Sequence, residues 1–515
     1  GRVAEALAAA GTASLDNLIL HVDWNQSSID SDRVCREGSQ PGDYVQWDPA
    51  ELLQLHDWNV IRVPDGADLA RILAAQRRAA TLDNGQPTAL VYRTVKGWRY
   101  GIEGRASHGE GHRLCSEGFY AALDPLWEGH PHPEEEARDA LPGCQGIACG
   151  GGAQADTVEA CFWGALEQIR GALAAEPDVV ERLAEGLRRA RERLETRGRA
   201  PAPDAPRRAA IFTAAAAPKI PSGIIPTPGS DCTLRAALGD ALGYLNEQSG
   251  GAILVAAADL LDSTSIRKAA GSSADGFWNA RSNPSSRVLS VGGICEDAMA
   301  GILCGISSFG RHLGVGSSYG AFLAPLGHIP ARLHAIGQQA RQERYAHSYD
   351  PMLLVCGHAG LETGEDGPSH ADPQALQLLQ GNFPRGTLVT LTPWEPQEVW
   401  PLLASALGAR PAVLAPFVTR PPMPVLDRAA LGLAPAGAAR TGVYRLRTAQ
   451  NGSDGVVVLQ GCAVTYAFVQ QVLPALKTDG IDLDVYVVSS EELFDRLPAS
   501  EQARIFPPEQ AARAM

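Results

Sequence analysis

The sequence predicts an α/β fold, with parallel or mixed sheets covered by helices. Three observations carry the prediction: short β-branched runs alternate with helical patterns along most of the chain, polar turns follow directly on apolar runs, and one charged helix with a Pro/Ala/Arg tract interrupts the alternation. In the first stretch, residues 18–23, 59–63 and 89–94 read as strands, with a helix over 67–79 among them. Between about 155 and 230 the pattern changes to ERLAEGLRRARERLETR followed by RAPAPDAPRR, whose composition marks a linker. Beyond it, 231–248 and 296–310 read as helices, and 252–258, 288–291, 352–356, 387–391 and 412–415 as strands of a second α/β unit. A third begins with strands at 455–460 and 484–488 and a helix near 467–476. The expected divisions are therefore 1–200, including the linker, then 225–425 and 440–515. Both ends read as cut: GRVAEALAAAGTASLDN opens on an amphipathic helix without a start methionine, and the last αβ pattern is unfinished.

Composition narrows the function. At 515 residues, 45% hydrophobic and 20% charged, the chain is too long for one core. A net charge of -14 and a pI near 5.4 argue against nucleic acid and anionic membrane surfaces, which are polyanions. No apolar run reaches the roughly 18 to 20 residues that span a bilayer, and the N-terminus lacks a basic region followed by an apolar one. A cytoplasmic protein with small-molecule partners is expected. The ten cysteines contain no CxxC pair and read as reduced thiols, and the spacing of Cys144, Cys149 and Cys161 fits no common zinc pattern.

Four stretches could carry chemistry. In LILHVDWNQSSID an apolar strand ends in Asp23, Asn25, Ser27 and Asp30, and ligands of parallel sheets bind at that end. An Asn oxygen with a nearby carbonyl suits a hard cation, although a plain turn reads the same way. In VGGICEDAMAGILCGISSFG a Gly pair turns into an apolar helix headed by Glu296 and Asp297. Acids at a helix start are ordinary, but this helix is apolar nearly all round and is expected to be buried, which favours a functional carboxyl. HAGLETGEDGPSH follows a buried strand with His358, Asp366 and His370, and GRASHGEGH offers His108 and His112 in a glycine-rich loop.

Taken in order, these stretches resemble the transketolase family over nearly the whole chain. LDNLILHVDWNQSSID is similar to the family's magnesium turn, GICEDAMAGILCGISSFG to its catalytic-glutamate helix and LETGEDGPSH to its substrate loop. The resemblance implies a diphosphate-binding, a pyrimidine-binding and a C-terminal domain, the last incomplete. It also implies a homodimer with active sites between subunits, thiamine diphosphate with Mg²⁺ (or Ca²⁺) as cofactor, and sugar phosphates as substrates in the pentose phosphate pathway.

Position by position, it implies Asn25 and Ser27 as metal ligands and Glu296 as the hydrogen-bond partner of the aminopyrimidine. Tyr319, Phe322 and Asp259 would lie around the cofactor. His108, His358, Asp366 and His370 would handle substrate hydroxyls and protons, with the three histidines and Glu296 as catalytic groups. Arg235, Ser263 and Arg420 would hold the phosphate.

Departures accompany the match. Cys295-Glu296-Asp297, His358-Ala359-Gly360 and Thr419-Arg420-Pro421 stand where the family usually has Arg-Glu-His, His-Asp-Ser and Ser-Arg-Gln. The family's Gly-Asp-Gly motif is expected just before Gly1, so this stretch by itself is expected to be inactive. Two alternatives are a homodimeric pyruvate dehydrogenase component, which shares the TVKG strand end, and a non-catalytic scaffold that keeps the fold.

Overall fold

The computed structural model describes residues 2–44, 46–108, 116–127, 155–218, 220–322, 327–360, 374–450 and 452–514. The chain forms two units, one of residues 15–202 and one of residues 1–14 with 203–515. The boundary lies within the RAPAPDAPRR tract. Helix α1 (Arg2–Thr12) belongs to the second unit.

In the first unit β1 (Ile19–Trp24), β2 (Asn59–Val63) and β3 (Thr88–Arg93) form a parallel sheet in the order β1-β3-β2. The central β3 is buried along Thr88–Tyr92, which is why its sequence is an unbroken apolar run and not an alternation. Helices α2 (Pro49–Leu55) and α3 (Leu69–Ala79) start sharply because Asp48 and Asp68 accept the first free N–H groups, with Pro49 pre-set for the opening turn. Ala75 and Ala79 of α3 pack on Val63, Leu90 and Tyr92. Further along, α4 (Glu117–Trp127) and α5 (Ala155–Ala174) pack through Phe119, Leu123, Trp127, Cys161 and Ala165. They are followed by α6 (Pro177–Thr196), in which no residue is buried.

Besides α1, the second unit has α7 (Arg208–Ala215) and is built on five parallel strands: β4 (Ile253–Ala257), β5 (Leu313–Tyr319), β6 (Met352–Gly357), β7 (Leu388–Leu391) and β8 (Val413–Pro416). Their order is β4-β5-β6-β8-β7. One face packs on α8 (Leu234–Gln248) and α12 (Val399–Ala409) through Leu238, Leu242, Leu402 and Leu403. The other packs on α9 (Glu296–Phe309) and α11 (Ala375–Asn382) through Met299, Leu303 and Leu379, and α10 (Ile336–Tyr345) precedes β6. The C-terminal part adds β9 (Val443–Arg447), β10 (Gly455–Gln460) and β11 (Leu483–Val488), with β11 central, parallel to β10 and antiparallel to β9.

Two expectations fail for physical reasons. The strand expected at 288–291 is reduced to a single bridge between Val255 and Val288. Helix α9 is buried on one side only, with Phe309 80% exposed on the other. Two strands of more than two residues escape sequence reading, β5 and β9. In β5, LGVGSSY contains glycines because α9 lies against it: a Cβ on Gly314 would come within 2.7 Å of the Leu303 carbonyl oxygen, and one on Gly316 within 2.8 Å of Leu303 Cδ1. Cys35, Cys161, Cys232, Cys295, Cys304, Cys356 and Cys462 are all free thiols, while Cys115, Cys144 and Cys149 lie outside the described residues. Among the described residues no helix is long and apolar enough to cross a membrane.

Two buried polar groups tie the second unit together. His334 shares a hydrogen bond of 2.9 Å with Ser308 Oγ through Nδ1, and Nε2 donates to the Ala412 carbonyl at 2.9 Å. Burial holds its pKa below the ordinary 6.5, with the Ala412 and Asp350 contacts opposing. The unfolded chain therefore takes up a proton first as pH falls, so the contribution of His334 to stability is full above about 6.5 and is lost below it. The urea midpoint of the protein should fall between pH 7 and pH 5, and His334→Gln should flatten that slope; an unchanged slope would refute the assignment.

The other group is Arg428, whose Nη2 lies 2.9 Å from both Glu395 Oε2 and Glu398 Oε1, with all three residues buried. Tyr444 on β9 donates to Glu398 Oε1, and Trp394 Nε1 donates to Tyr444 Oη at 2.9 Å.

Candidate active site

The sheet of the second unit directs its strand ends toward one cluster, where open parallel sheets carry their ligands. Tyr319 is the last residue of β5, and its ring stacks on His358 at 3.8 Å between centroids and on Phe322 at 6.4 Å. His358 follows β6 with a positive φ of 54° and is 2% exposed, so a strained backbone turn holds the imidazole inward. Arg235 enters from the first turn of α8, where Thr233 caps the helix, and its Nη1 donates to the Ser263 carbonyl. Its pKa is lowered first by burial and then by the Arg420 guanidinium, with Tyr319 opposing. Arg235, Ser263 and Arg420 are thus brought together beside the Tyr319 ring. Two cations held close in partly buried surroundings repel each other, and a dianion between them would relieve that repulsion.

Glu296 is the first residue of α9, half-buried, and its Oε1 accepts a hydrogen bond from Ser318 Oγ at 3.4 Å. Ser318 directly precedes Tyr319, so the close packing of α9 on the glycines of β5 brings carboxyl and aromatic stack to the same edge. Glu5 of α1 accepts from Ala298 N–H at 3.0 Å and fixes the start of α9. Sequence reading missed both Ser318 and Glu5. The signal for Ser318 was its place in SSYGAF; Glu5, so far away in sequence, gave none. Asp259 occupies an exposed left-handed turn just beyond β4. Asp366 and His370 lie outside the described residues.

In the first unit, β1 ends in a tight polar turn. Asn25 Oδ1 accepts from Ser27 N–H at 2.9 Å while Nδ2 donates to Asp23 Oδ2 at 3.3 Å, and Ser27 Oγ donates to Asp32 Oδ1 at 3.2 Å. Thr94, just after β3, donates to Asp23 Oδ1 and joins the two strand ends. His108 is exposed, its Nδ1 2.9 Å from Lys96 Nζ. An amide oxygen keeps a second lone pair after one bond, so Asn25 and a turn carbonyl form a hard-oxygen donor set that fits a small divalent cation. Among the described residues, no three His, Cys, Asp or Glu side chains cluster to hold a metal.

Comparison with known proteins gives this geometry a context. The pattern of the transketolase thiamine diphosphate binding domain matches residues 1–117, and that of the transketolase pyrimidine binding domain matches residues 230–420, together more than half of the chain. The chain belongs to the transketolase family. A transketolase of Streptococcus pyogenes serotype M6 is 28% identical over 215 residues, covering 42% of this chain and 27% of that protein. One of Geobacillus stearothermophilus is 28% identical over 159 residues, covering 31% and 23% respectively. Among solved structures, the transketolase of Pichia stipitis in complex with sedoheptulose-7-phosphate superposes with a TM-score of 0.66 at 20% identity over 98% of this chain and 65% of that one. Transketolase from Leishmania mexicana gives 0.65 at 20% identity over the same shares. The match therefore spans about a quarter of the curated transketolases and about two thirds of the solved transketolase chains.

Proposed function

We propose that this chain forms part of an enzyme that transfers a two-carbon ketol unit from a ketose phosphate to an aldose phosphate, with Mg²⁺ and thiamine diphosphate. The observation that carries the reading is the convergence of Arg235, Ser263 and Arg420 on one edge of the Tyr319–His358 stack, with Glu296 beside Ser318 at the same strand end. We assign residues 1–200 to the diphosphate-binding domain and linker, 225–425 to the pyrimidine-binding domain and 440–515 to the C-terminal domain. The working form is a cytoplasmic homodimer in a pentose phosphate pathway.

In this reading Asn25 and the Ser27 carbonyl would hold the metal, and Glu296, Tyr319, Phe322 and Asp259 would bind the cofactor. When bound there, thiamine diphosphate would supply the electron sink for breaking a bond next to a carbonyl. Glu296 would share a proton with a ring nitrogen. His358, His108 and His370 orient substrate hydroxyls and carry protons, and Asp366 binds a hydroxyl. Arg235 and Arg420 fix the phosphate, Arg giving two parallel hydrogen bonds to such a group.

Transfer from xylulose 5-phosphate to ribose 5-phosphate by the purified protein tests the reading; carbon dioxide release from pyruvate in place of transfer would overturn it. Arg420→Ala should raise KM for a phosphorylated ketose about tenfold or more, and far less for an unphosphorylated one, since a charged hydrogen bond is worth about 1.5–3 kcal/mol. Equal effects on both would remove Arg420 from the phosphate site.

A further inference from the structure

The edge of the five-stranded sheet opposite the Tyr319–His358 stack carries a feature that the transfer chemistry does not use. There α10, the start of β7, the turn between α12 and β8 and the short helix Glu491–Asp495 line a cavity of about 560 Å³. A space of that size suits a small-molecule ligand. Arg385, Arg410 and Arg496 all line it. Among the described residues no carboxylate lies within ion-pair reach of any of the three, in a chain whose net charge is -14.

Two of these guanidiniums are fixed in place. Arg496 Nη2 donates to the Gly386 carbonyl at 2.8 Å and Nη1 to the Ala409 carbonyl at 3.5 Å, so it bridges two of the segments that bound the cavity. Arg410 has a left-handed backbone with φ 46° and lays its guanidinium over the Phe212 ring at 4.1 Å. Arg385 is exposed, and its side chain has no polar partner among the described residues. Gln339, Gln342 and Tyr349 add N–H and O–H donors to the same lining. Burial pushes the Tyr349 phenol up, with the Arg496 guanidinium opposing and Glu343 adding to the rise.

The two carboxylates of the lining differ. Glu492 is engaged with β7, accepting from Thr390 N–H at 3.1 Å, from Thr390 Oγ1 at 2.8 Å and from Gln380 Nε2 at 2.9 Å. Asp495 is exposed and opposes an anion. Cations gathered without acids repel one another, and a ligand with several negative oxygens relieves that repulsion. Planar guanidinium forks match phosphate oxygens two at a time, so a single phosphate would meet too few of the three.

We propose that this cavity binds a small anion carrying two or more phosphate groups, gripped by Arg385, Arg410 and Arg496. The site is separate from the Arg235–Arg420 pair at the other end of the strands and does not rest on the ketol-transfer reading.

Titration calorimetry on the whole protein tests it, with inorganic diphosphate as the probe in about 0.15 M salt and a chelator to keep divalent cations from the Asn25 turn. Saturable binding is expected, with a Kd of about 0.1 mM or tighter, and inorganic monophosphate should bind at least about tenfold more weakly. Arg385→Gln removes a side chain that no fold contact uses, and it should weaken diphosphate about tenfold, the loss of one charged hydrogen bond. Asp495→Asn should tighten it about threefold by removing the opposing charge. A sugar bisphosphate and a nucleoside triphosphate titrated in parallel distinguish the sources, the tightest of the three identifying what carries the phosphates. The proposal is overturned if diphosphate does not saturate, if monophosphate binds as well, or if Arg385→Gln leaves the affinity unchanged. Arg235→Ala combined with Arg420→Ala should leave diphosphate binding intact; its loss there would place the anion at the candidate active site and overturn the proposal too.

Discussion

Arg428→Ala should destabilise the second unit by about 3–5 kcal/mol, because it leaves the buried carboxyls of Glu395 and Glu398 without their shared cation. Burial, the largest influence, already raises the pKa of Glu395, with Arg428 opposing. Once the guanidinium is gone, nothing offsets the burial that raises Glu395, which then folds more readily protonated than charged. A carboxyl whose folded pKa exceeds its unfolded value loses stability as pH rises, so the deficit of the variant should shrink when urea unfolding is repeated at pH 5 instead of pH 7. Replacing Glu395, Glu398 and Arg428 with leucine together with Tyr444→Phe should recover part of the loss, since a buried ion cluster is often no more stable than apolar residues of similar volume and the Tyr444 hydroxyl would otherwise lose its acceptor. A midpoint for Arg428→Ala within about 1 kcal/mol of the parent would refute this account of how β9 is held to the five-stranded sheet.

The second large effect is expected at Glu296. Glutamine keeps the shape and can still accept from Ser318, but it has no carboxyl proton to share with a ring nitrogen. Under the proposed function, Glu296→Gln should lower ketol transfer by about 10²–10⁴-fold, the usual range for a positioned acid or base, with the unfolding midpoint unchanged. Transfer within threefold of the parent would show that Glu296 does not play this part. Ser318→Ala separates orientation from proton holding: it should weaken transfer far less, because its hydrogen bond of 3.4 Å is long.

Strand–helix alternation was readable wherever apolar residues were β-branched and bounded by polar turns. The 59–63 and 455–460 strands match their observed bounds, Asn59–Val63 and Gly455–Gln460. β5 was not readable, because its glycines and serines answer to the helix lying on them and not to strand propensity. The 288–291 run failed for the opposite reason: its residues favour a strand, yet it meets β4 only through a bridge at Val288. At the site, residues on motifs could be named from sequence, but their grouping could not. Arg235, Ser263 and Arg420 are far apart in the chain, and only the sheet order brings α8, the loop beyond β4 and the end of β8 to one edge. Likewise, the acids Glu395 and Glu398 lie in a plain-looking run, LTPWEPQEVW, and nothing in it points to Arg428.

The bare backbone of β5 at Gly314 works as a spacer of fixed thickness beneath α9, because it faces the Leu303 backbone itself, whereas Gly316 meets only the ends of Leu303 and Met299, which can swing aside. A side chain grafted at Gly314 would lift the helix like a shim under a beam and tilt α9 with Glu296 at its leading end. Variation at that glycine would therefore be felt as a misaligned carboxyl many residues away, in a protein that still folds.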